Sequence, residues 1–321
     1  MLRLNKIVAF ITMFTLGCCL LVGCGSQQAP VAQNTDAFLT INDDLGRKVI
    51  LAKKPVRIVA LSPSFLEPLG AVGANIVGRP SSKTEIPEFA VPIEEVGNVN
   101  NINIEKVVAL KPDLVIAYQG RHDKFVPILE NNNIPVIVVR FKTYQDIKEK
   151  VELFAAISDQ LSQGRSLIAK LDSDIDKIVE KLPKEKLSVA ILFSTAKSVT
   201  VQLDTSIAGS TAKLLGFNNI ASNTPHLGEN QDTAPYSLES LVADDPEVIF
   251  IVTMGKLDEI KKRLNADFAS SAAWSTLKAV KQQKVYYLPQ ELFLLNPGLK
   301  YPEAVESMAK TIYPEVFSNA K

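Results

Sequence analysis

Residues 103–116, NIEKVVALKPDLVI, and residues 237–250, SLESLVADDPEVIF, align without a gap at an offset of 134 residues. Each segment has an N-cap residue, an acid two positions later, a short helical pattern, a proline and then an apolar strand. A repeat of this kind predicts two similar α/β units in one chain. The alternative is chance, because helix–turn–strand units share composition.

Further apolar runs extend the pattern on both sides of each copy. They lie at residues 57–61, 113–117, 135–139, 188–193 and 247–252, with another candidate at 285–288. Near-continuous apolar strands that alternate with helices are typical of parallel sheets covered on both faces. We therefore predict an α/β fold of two lobes, each built around a central, mainly parallel sheet. A β-hairpin over residues 38–51 precedes the first lobe.

Residues 143–183 separate the two lobes and have a helical pattern. Thr143 and Asp146 form a capping-box pattern at its start, and Pro183 ends it. Ser158 and Gly164 are weak points, so the segment is either one long helix or two helices in succession. A helix over residues 161–182 would be about 33 Å long, which is enough to cross a whole domain.

The N-terminal residues predict a lipoprotein signal. Arg3 and Lys6 precede an apolar run at residues 7–22, which is shorter than the roughly 20 residues of a transmembrane helix. The run ends in Leu-Val-Gly-Cys at residues 21–24, which resembles a bacterial lipobox with Cys24 as the acylated residue. The alternative is an uncleaved signal anchor with an incidental cysteine. The expected location is the cell envelope, in the periplasm or at the outer face of the plasma membrane.

These patterns predict a linear organisation of five segments. They are a signal peptide at 1–24, a tether at 25–37, an N-terminal lobe at 38–142, a bridging helix region at 143–183 and a C-terminal lobe at 184–321.

The composition excludes several functional classes. The chain has 35 Lys and Arg against 35 Asp and Glu, and this balance argues against nucleic-acid binding, which requires an excess of cations. Two His and three Cys provide little for a zinc site, because two of those cysteines lie in the predicted signal peptide ahead of Cys24.

The order and spacing of these segments resemble the substrate-binding lipoproteins of ABC importers for ferric siderophores, haem and cobalamin. The resemblance covers residues 38–315. It rests on DxGRxV at 44–49, RIVxLxPS at 57–64, EVG at 95–97, the whole of 103–116, and AAWxxLxAVxxxxVY at 272–286.

The resemblance implies a monomer of two lobes joined by one rigid helix, with little hinge motion. It also implies docking on an ABC permease, which works with its ATPase, through one acid on each lobe. Those acids map onto Glu105 and Glu239, the paired positions of the repeat. A purely structural role is also open, because an acid in the first turn interacts favourably with the helix dipole.

Ligand-binding residues are expected in the loops after the carboxyl ends of the parallel strands. In the first lobe these loops are rich in Arg, Lys and aromatic residues and poor in acids. This set favours an anionic ligand that is flat or bulky, because arginine both pairs with carboxylates and stacks on flat groups. The candidates are Ser64, Phe65, Arg79, Tyr118, Arg121, His122, Arg140, Tyr236 and Met254.

A ferric siderophore is the leading ligand, held by hydrogen bonds without a direct protein–metal bond. The alternatives within the same importer class are haem and cobalamin. Haem is less supported because residues 97–101 contain no Met or Tyr, and cobalamin because residues 80–84 contain no Tyr. A free-metal-binding or an adhesion lipoprotein is more remote. We expect no cofactor, no metal ligand and no catalytic residue, because the enzyme motifs GxSxG, HExxH, GxGxxG and the P-loop are absent from the sequence.

Overall fold

The computed structural model describes residues 37–82, 85–228 and 230–318. The predicted signal peptide, with Cys24, lies outside the described residues. Within them the predicted hairpin comes first: β1 (Leu39–Asn42) and β2 (Lys48–Leu51) pair antiparallel.

The first sheet has six strands: β3 (Ile58–Ala60), β4 (Ile76–Ser81), β5 (Glu94–Asn98), β6 (Asn101–Ile102), β7 (Leu114–Tyr118) and β8 (Val136–Val139). Their order is β6-β5-β4-β3-β7-β8, and every pair is parallel except β5 with β6. The connecting helices are α1 (Leu66–Ala71), α2 (Ile104–Ala109) and α3 (Val126–Asn131). We call this part of the molecule the N lobe.

Two helices follow, α4 (Tyr144–Ile157) and α5 (Leu161–Val179). The capping box of Thr143 and Asp146 is present, and the break between the helices falls beside Ser158. The second helix has 19 residues, about 28 Å at 1.5 Å per residue. At Gly164 a Cβ atom would lie 2.4 Å from the Ala155 side chain, so the missing side chain lets the two helices approach closely.

The second sheet, with its helices, forms the C lobe. Its strands are β9 (Ser188–Thr195), β10 (Val199–Gln202), β11 (Asn218–Asn219), β12 (Thr233–Pro235), β13 (Val248–Met254) and β14 (Val285–Tyr287). The order is β12-β10-β9-β13-β14, with β11 also on β9. Strand β13 is parallel to both neighbours, whereas β10 is antiparallel to both of its own. The fold-class prediction of mainly parallel sheets in an α/β chain is confirmed.

The helices of the C lobe cover this sheet and extend to the end of the described chain. They are α6 (Ile207–Leu214), α7 (Leu238–Asp244), α8 (Leu257–Ala269), α9 (Ala272–Thr276), α10 (Lys278–Lys281), α11 (Gln290–Phe293), α12 (Tyr301–Ile312) and α13 (Pro314–Phe317). No helix in the described part of the chain combines the length and the apolar character that crossing a membrane requires.

The two copies of the repeat have the same local structure. In each copy the N-cap side chain, Asn103 or Ser237, accepts a bond from the backbone N–H three residues later. The helix α2 or α7 follows, and then the strand β7 or β13 beside the central strand of its sheet. The acid before each strand accepts a bond from the start of that central strand: Asp113 from Arg57 N at 2.8 Å and Glu247 from Ser188 N at 3.1 Å.

One apolar core connects the lobes. Alternate residues of the strands face opposite sides, so Ile58 and Ile116 belong to the same core as Ile191 and Phe250, whereas Val59 and Val115 belong to a separate cluster on the outer face of the N lobe. The side chains of α4, α5 and α12 complete the shared core, which includes Phe154, Leu171 and Val305. A continuous core opposes large rotation of one lobe against the other.

Candidate functional site

A cleft of about 890 Å³ lies at the carboxyl ends of the central strands. Both lobes line it: residues after β3, β7 and β8 on one side, and residues of β9, β10 and β13 on the other. This is where parallel α/β sheets place ligands, because the loops at the strand ends are free of the sheet's own hydrogen bonding.

Tyr118 and Arg121 lie together on the N-lobe wall. The Tyr118 ring stacks on Phe65 with centroids 5.8 Å apart, and its hydroxyl donates to the carbonyl of Phe141 at 2.9 Å. Burial raises the pKa of Tyr118, so the hydroxyl stays protonated. The guanidinium carbon of Arg121 is 5.9 Å from the Tyr118 ring centroid, and Arg121 Nη1 donates to Asn100 Oδ1 at 2.7 Å. Arg121 is exposed, and no carboxylate of the described chain pairs with it.

The side chain of Arg140 is fixed by partners from α4 and from the C lobe. Its Nε donates to Asp146 Oδ2 at 3.2 Å, and its Nη1 donates to Gln231 Oε1 at 3.1 Å. Its Nη2 donates to the carbonyl of Thr205 at 3.0 Å and lies 3.4 Å from Asp232 Oδ1.

Lys142 adds a second cation beside Arg140, and its Nζ contacts Asp232 Oδ2. Burial and the neighbouring charges of Arg140 and Arg121 lower the pKa of Lys142 to about 8. The contact with Asp232 favours the charged form and opposes that shift. Arg121, Arg140 and Lys142 together make one side of the cleft cationic.

Ser64 and Met254 also line the cleft. The hydroxyl of Ser64 donates to the carbonyl of Asn296 at 3.1 Å, which joins the N lobe to the segment after α11. Met254 ends β13, and 49 % of its surface is exposed. Leu45 and Leu295 are also exposed and line the cleft, so its wall is partly apolar.

Four of the expected ligand-binding residues do not line the cleft. Phe65 is fully buried behind Tyr118, among aromatic rings of the core. Tyr236 packs against the outer apolar cluster of the C lobe.

Arg79 lies within β4 rather than in the loop expected after Gly78. Its Nε donates to the carbonyl of Ala90 at 2.7 Å, and its Nη1 pairs with Glu95 at 2.9 Å. The strand continues through Pro80 because the pairing of β4 with β5 shifts register at this point. Arg79 is buried and supports this edge of the sheet.

His122 is buried below the cleft wall, and both ring nitrogens are engaged. Its Nδ1 accepts the N–H of Tyr118 at 3.0 Å, and its Nε2 donates to the carbonyl of Val99 at 2.8 Å. Burial lowers the pKa of His122 and favours this neutral form. His122 therefore holds the loop at Val99 against the end of β7.

Sequence reasoning missed several residues of the cleft wall, including Lys142, Gln202, Gln231 and Asp232. Lys142 lies three residues after the apolar run that forms β8, so its position in the loop after a parallel strand was a usable signal. Asp232 precedes the antiparallel strand β12 and carries no such signal. Among the described residues, no group of three or more His, Cys, Asp or Glu is arranged to hold a metal ion.

The sequence profile of the protein family described as "Periplasmic binding protein" matches residues 58–292 of this chain. This chain belongs to that family. Periplasmic binding proteins of the siderophore and haem class are substrate-binding components of ABC transporters rather than enzymes, in agreement with the sequence-based expectation.

Individual relatives cover nearly the whole chain. An uncharacterized ABC transporter substrate-binding lipoprotein of Bacillus subtilis, YvrC, is 26 % identical over 94 % of this chain and 96 % of its own length. The Fe(3+)-citrate-binding protein YfmC of the same organism is 26 % identical over 98 % of each chain. A crystal structure of an ABC transporter substrate-binding protein from Listeria monocytogenes has a TM-score of 0.73 and 25 % identity, covering 82 % of this chain and all of that one.

Proposed function

We propose that this periplasmic binding protein captures an anionic iron complex, a ferric siderophore in the first instance, and delivers it to an ABC permease and its ATPase. The observation that carries this proposal is the cationic side of the cleft, formed by Arg121, Arg140 and Lys142. The relative YfmC is an Fe(3+)-citrate-binding protein, which supports an iron complex rather than a free ion as the ligand. Ferric citrate and ferric siderophores present oxygen atoms that guanidinium and ammonium groups bind well.

Haem is the second candidate, and one observation favours it. Met254 is half-exposed and lines the cleft, and a methionine thioether would be able to bind haem iron. His122, which lies between the cleft-lining residues Arg121 and Asp123, is buried with both ring nitrogens engaged and is not free to provide a second axial ligand. A siderophore needs no axial ligand, so the geometry favours it.

Glu105 and Glu239 support docking on the permease. Each lies in the first turn of its helix, α2 or α7, and each is exposed. Each helix begins within a few residues of a segment that lines the cleft, 98–100 or 230–233. The two acids therefore flank the cleft side of the molecule, where they would meet basic residues of a two-fold permease and set its register.

We further propose the chain organisation given by the sequence. Cys24 carries the lipid anchor, residues 25–37 form the tether, and the lobes occupy 38–142 and 184–321 around the helix region 143–183. The protein acts as a lipid-anchored monomer of the cell envelope, in the periplasm or at the outer face of the plasma membrane. Acyl chains anchor by burying methylene groups, at about 0.8 kcal/mol each.

Binding titrations test the ligand. The purified protein is titrated with ferric citrate, a ferric catecholate, a ferric trihydroxamate, haem and cobalamin, with absorbance recorded throughout. We expect saturable binding of an anionic ferric complex. A Soret shift that is lost in Met254→Leu would assign haem instead, and cobalamin saturation would assign cobalamin.

Uptake measurements test the docking acids. Glu105→Gln and Glu239→Gln are expected to lower uptake of radioactive iron by cells while leaving the affinity for the ferric complex unchanged. Glu180→Gln is a matched control, because Glu180 is an exposed acid at the end of α5. Equal uptake in all three variants would contradict the docking role.

A further inference from the structure

The two inner cations of the cleft already face a carboxylate from the opposite lobe. Asp232 precedes β12 in the C lobe, whereas Arg140 and Lys142 follow β8 in the N lobe. The Asp232 side chain is 10 % exposed, and it reaches Arg140 Nη2 at 3.4 Å and also contacts Lys142 Nζ. Asp232 therefore neutralises the two cations that the proposed function assigns to an anionic ligand.

We propose that the Asp232 carboxylate occupies the place of the ligand's anionic group, and that the ligand displaces this carboxylate from Arg140 and Lys142. The inference rests on the proposed function, because it specifies how an anionic complex enters this cleft. Asp232 then sets a charge requirement: a ligand must interact with the two cations better than a carboxylate that is already present.

The geometry around Arg140 makes this exchange feasible. The contact of Arg140 with Asp232 is longer than the 2.7–2.9 Å that is usual for a charge-assisted hydrogen bond. Arg140 keeps its place without Asp232, because Asp146, Gln231 and the carbonyl of Thr205 also accept from it. An ion pair at a largely buried position gains little net stability once desolvation is included, so the pairing with Asp232 does not by itself prevent another anion from taking its place.

The backbone at Asp232 is fixed independently of its side chain. Its N–H donates to Asn230 Oδ1 at 3.1 Å, and its carbonyl accepts from Leu203 N at 2.8 Å. Displacement therefore requires a side-chain rotation rather than movement of the loop. Arg121, which pairs with no carboxylate in the described chain, provides a first contact for an incoming anion.

The test compares Asp232→Asn with wild type by calorimetric titration, using metal-free citrate, ferric citrate and an uncharged ferric trihydroxamate as probes. Because the like charge is removed and the shape is kept, we expect both citrate probes to bind at least about tenfold more tightly. The affinity for the uncharged complex should change by less than about threefold. Asp232→Ser provides a second neutral variant if the amide impairs folding, and the thermal melting point of each variant is measured.

Asp123→Asn is the matched control. Asp123 also lines the cleft, but its carboxylate accepts from the N–H of Gly120 at 3.0 Å and makes no ion pair within the described chain. An equal gain in citrate affinity for Asp123→Asn would mean that removing any negative charge from the cleft has the same effect. That result would overturn the proposal. Unchanged or weaker citrate binding by Asp232→Asn would also overturn it.

Titration with metal-free citrate distinguishes a failure of this inference from a failure of the proposed function. If wild type and Asp232→Asn bind metal-free citrate with the expected difference but neither binds a ferric complex, the proposed function fails and the role of Asp232 stands. If ferric complexes bind equally well to both proteins, the role of Asp232 fails and the proposed function stands. If citrate binds to neither protein, the cations do not accept a displacing anion and the inference fails.

Discussion

The N and C lobes share a backbone pattern but provide different chemistry to the cleft. At the offset of 134 residues, Tyr118 and Arg121 correspond to Val252 and Gly255. The cations of the cleft follow strands of the N lobe, whereas the C lobe contributes Asp232, amides and apolar side chains such as Met254. The two copies of the repeat therefore share a scaffold, and the loops at the strand ends provide the side chains for ligand recognition.

The largest expected effect compares one fully buried aromatic ring from each lobe. Phe65→Ala in the N lobe and Phe250→Ala in the C lobe each remove a fully buried ring, and each should lower the free energy of unfolding by about 3–5 kcal/mol. Only Phe65 stacks on a residue of the cleft wall, Tyr118. Urea denaturation and ligand titration of both variants, with Phe65→Leu as a milder change, check this. Ligand binding should weaken in the Phe65 variants but not in Phe250→Ala, and unchanged binding in both Phe65 variants would contradict the support of Tyr118 by this ring.

The next prediction compares the two walls of the cleft. Arg121→Gln should weaken binding of an anionic ferric complex about tenfold, which is about 1.4 kcal/mol, because a charged donor is lost. Met254→Leu keeps an apolar side chain of similar size and should change the affinity by less than about twofold. Calorimetric titration measures both. A larger loss for Met254→Leu would reverse the assignment of the recognition wall.

The repeat itself predicts a graded pair of effects on stability. Asp113 accepts from two backbone amides, Val56 N and Arg57 N, each at 2.8 Å, whereas Glu247 accepts from Ser188 N at 3.1 Å and pairs with Lys278. We expect Asp113→Ala to cost about 2 kcal/mol of unfolding free energy and Glu247→Ala about 1 kcal/mol. Denaturant unfolding of the two variants measures both losses of unfolding free energy. No loss in either would mean that these acids do not hold the strands.

The smallest expected effect is a pH dependence of the unfolding free energy that comes from His122 in the N lobe. Burial lowers the pKa of His122 in the folded protein below its unfolded value of 6.5. Above that pH His122 is neutral in both states and carries no penalty. As the pH falls through 6.5, the unfolded state takes up a proton that the folded state does not, so the free energy of unfolding decreases. His122→Gln should have a shallower decrease between about pH 7 and pH 5, measured by urea denaturation. An identical slope would contradict the buried neutral histidine.

The sequence predicted the scaffold because its signals are local. The apolar runs at 57–61, 113–117 and 247–252 became strands, and Thr143 capped α4, since each depends on neighbours in the chain. The placement of side chains was less predictable. Arg79 was expected in a loop after a strand, but β4 continues through Arg79 with a register shift, and Arg79 is buried.

The contacts across the cleft could not be predicted, because they join residues far apart in the chain. Asp232 meets Arg140 across 92 residues, and Ser64 meets Asn296 across 232 residues. Neither partner has a pattern in its own neighbourhood that specifies the other. His122 illustrates the same limit at short range: its sequence places it beside Arg121 on the rim, but its ring turns inward to Tyr118 and Val99.

The most direct test of the central claim, an anion-binding cleft for an iron complex, is calorimetric titration of the purified protein with ferric citrate at low and at high ionic strength. The account predicts saturable binding of one complex per chain that weakens as salt rises, because the cations Arg121, Arg140 and Lys142 attract the ligand through charge. Absence of saturable binding, or an affinity that does not change with ionic strength, would contradict it.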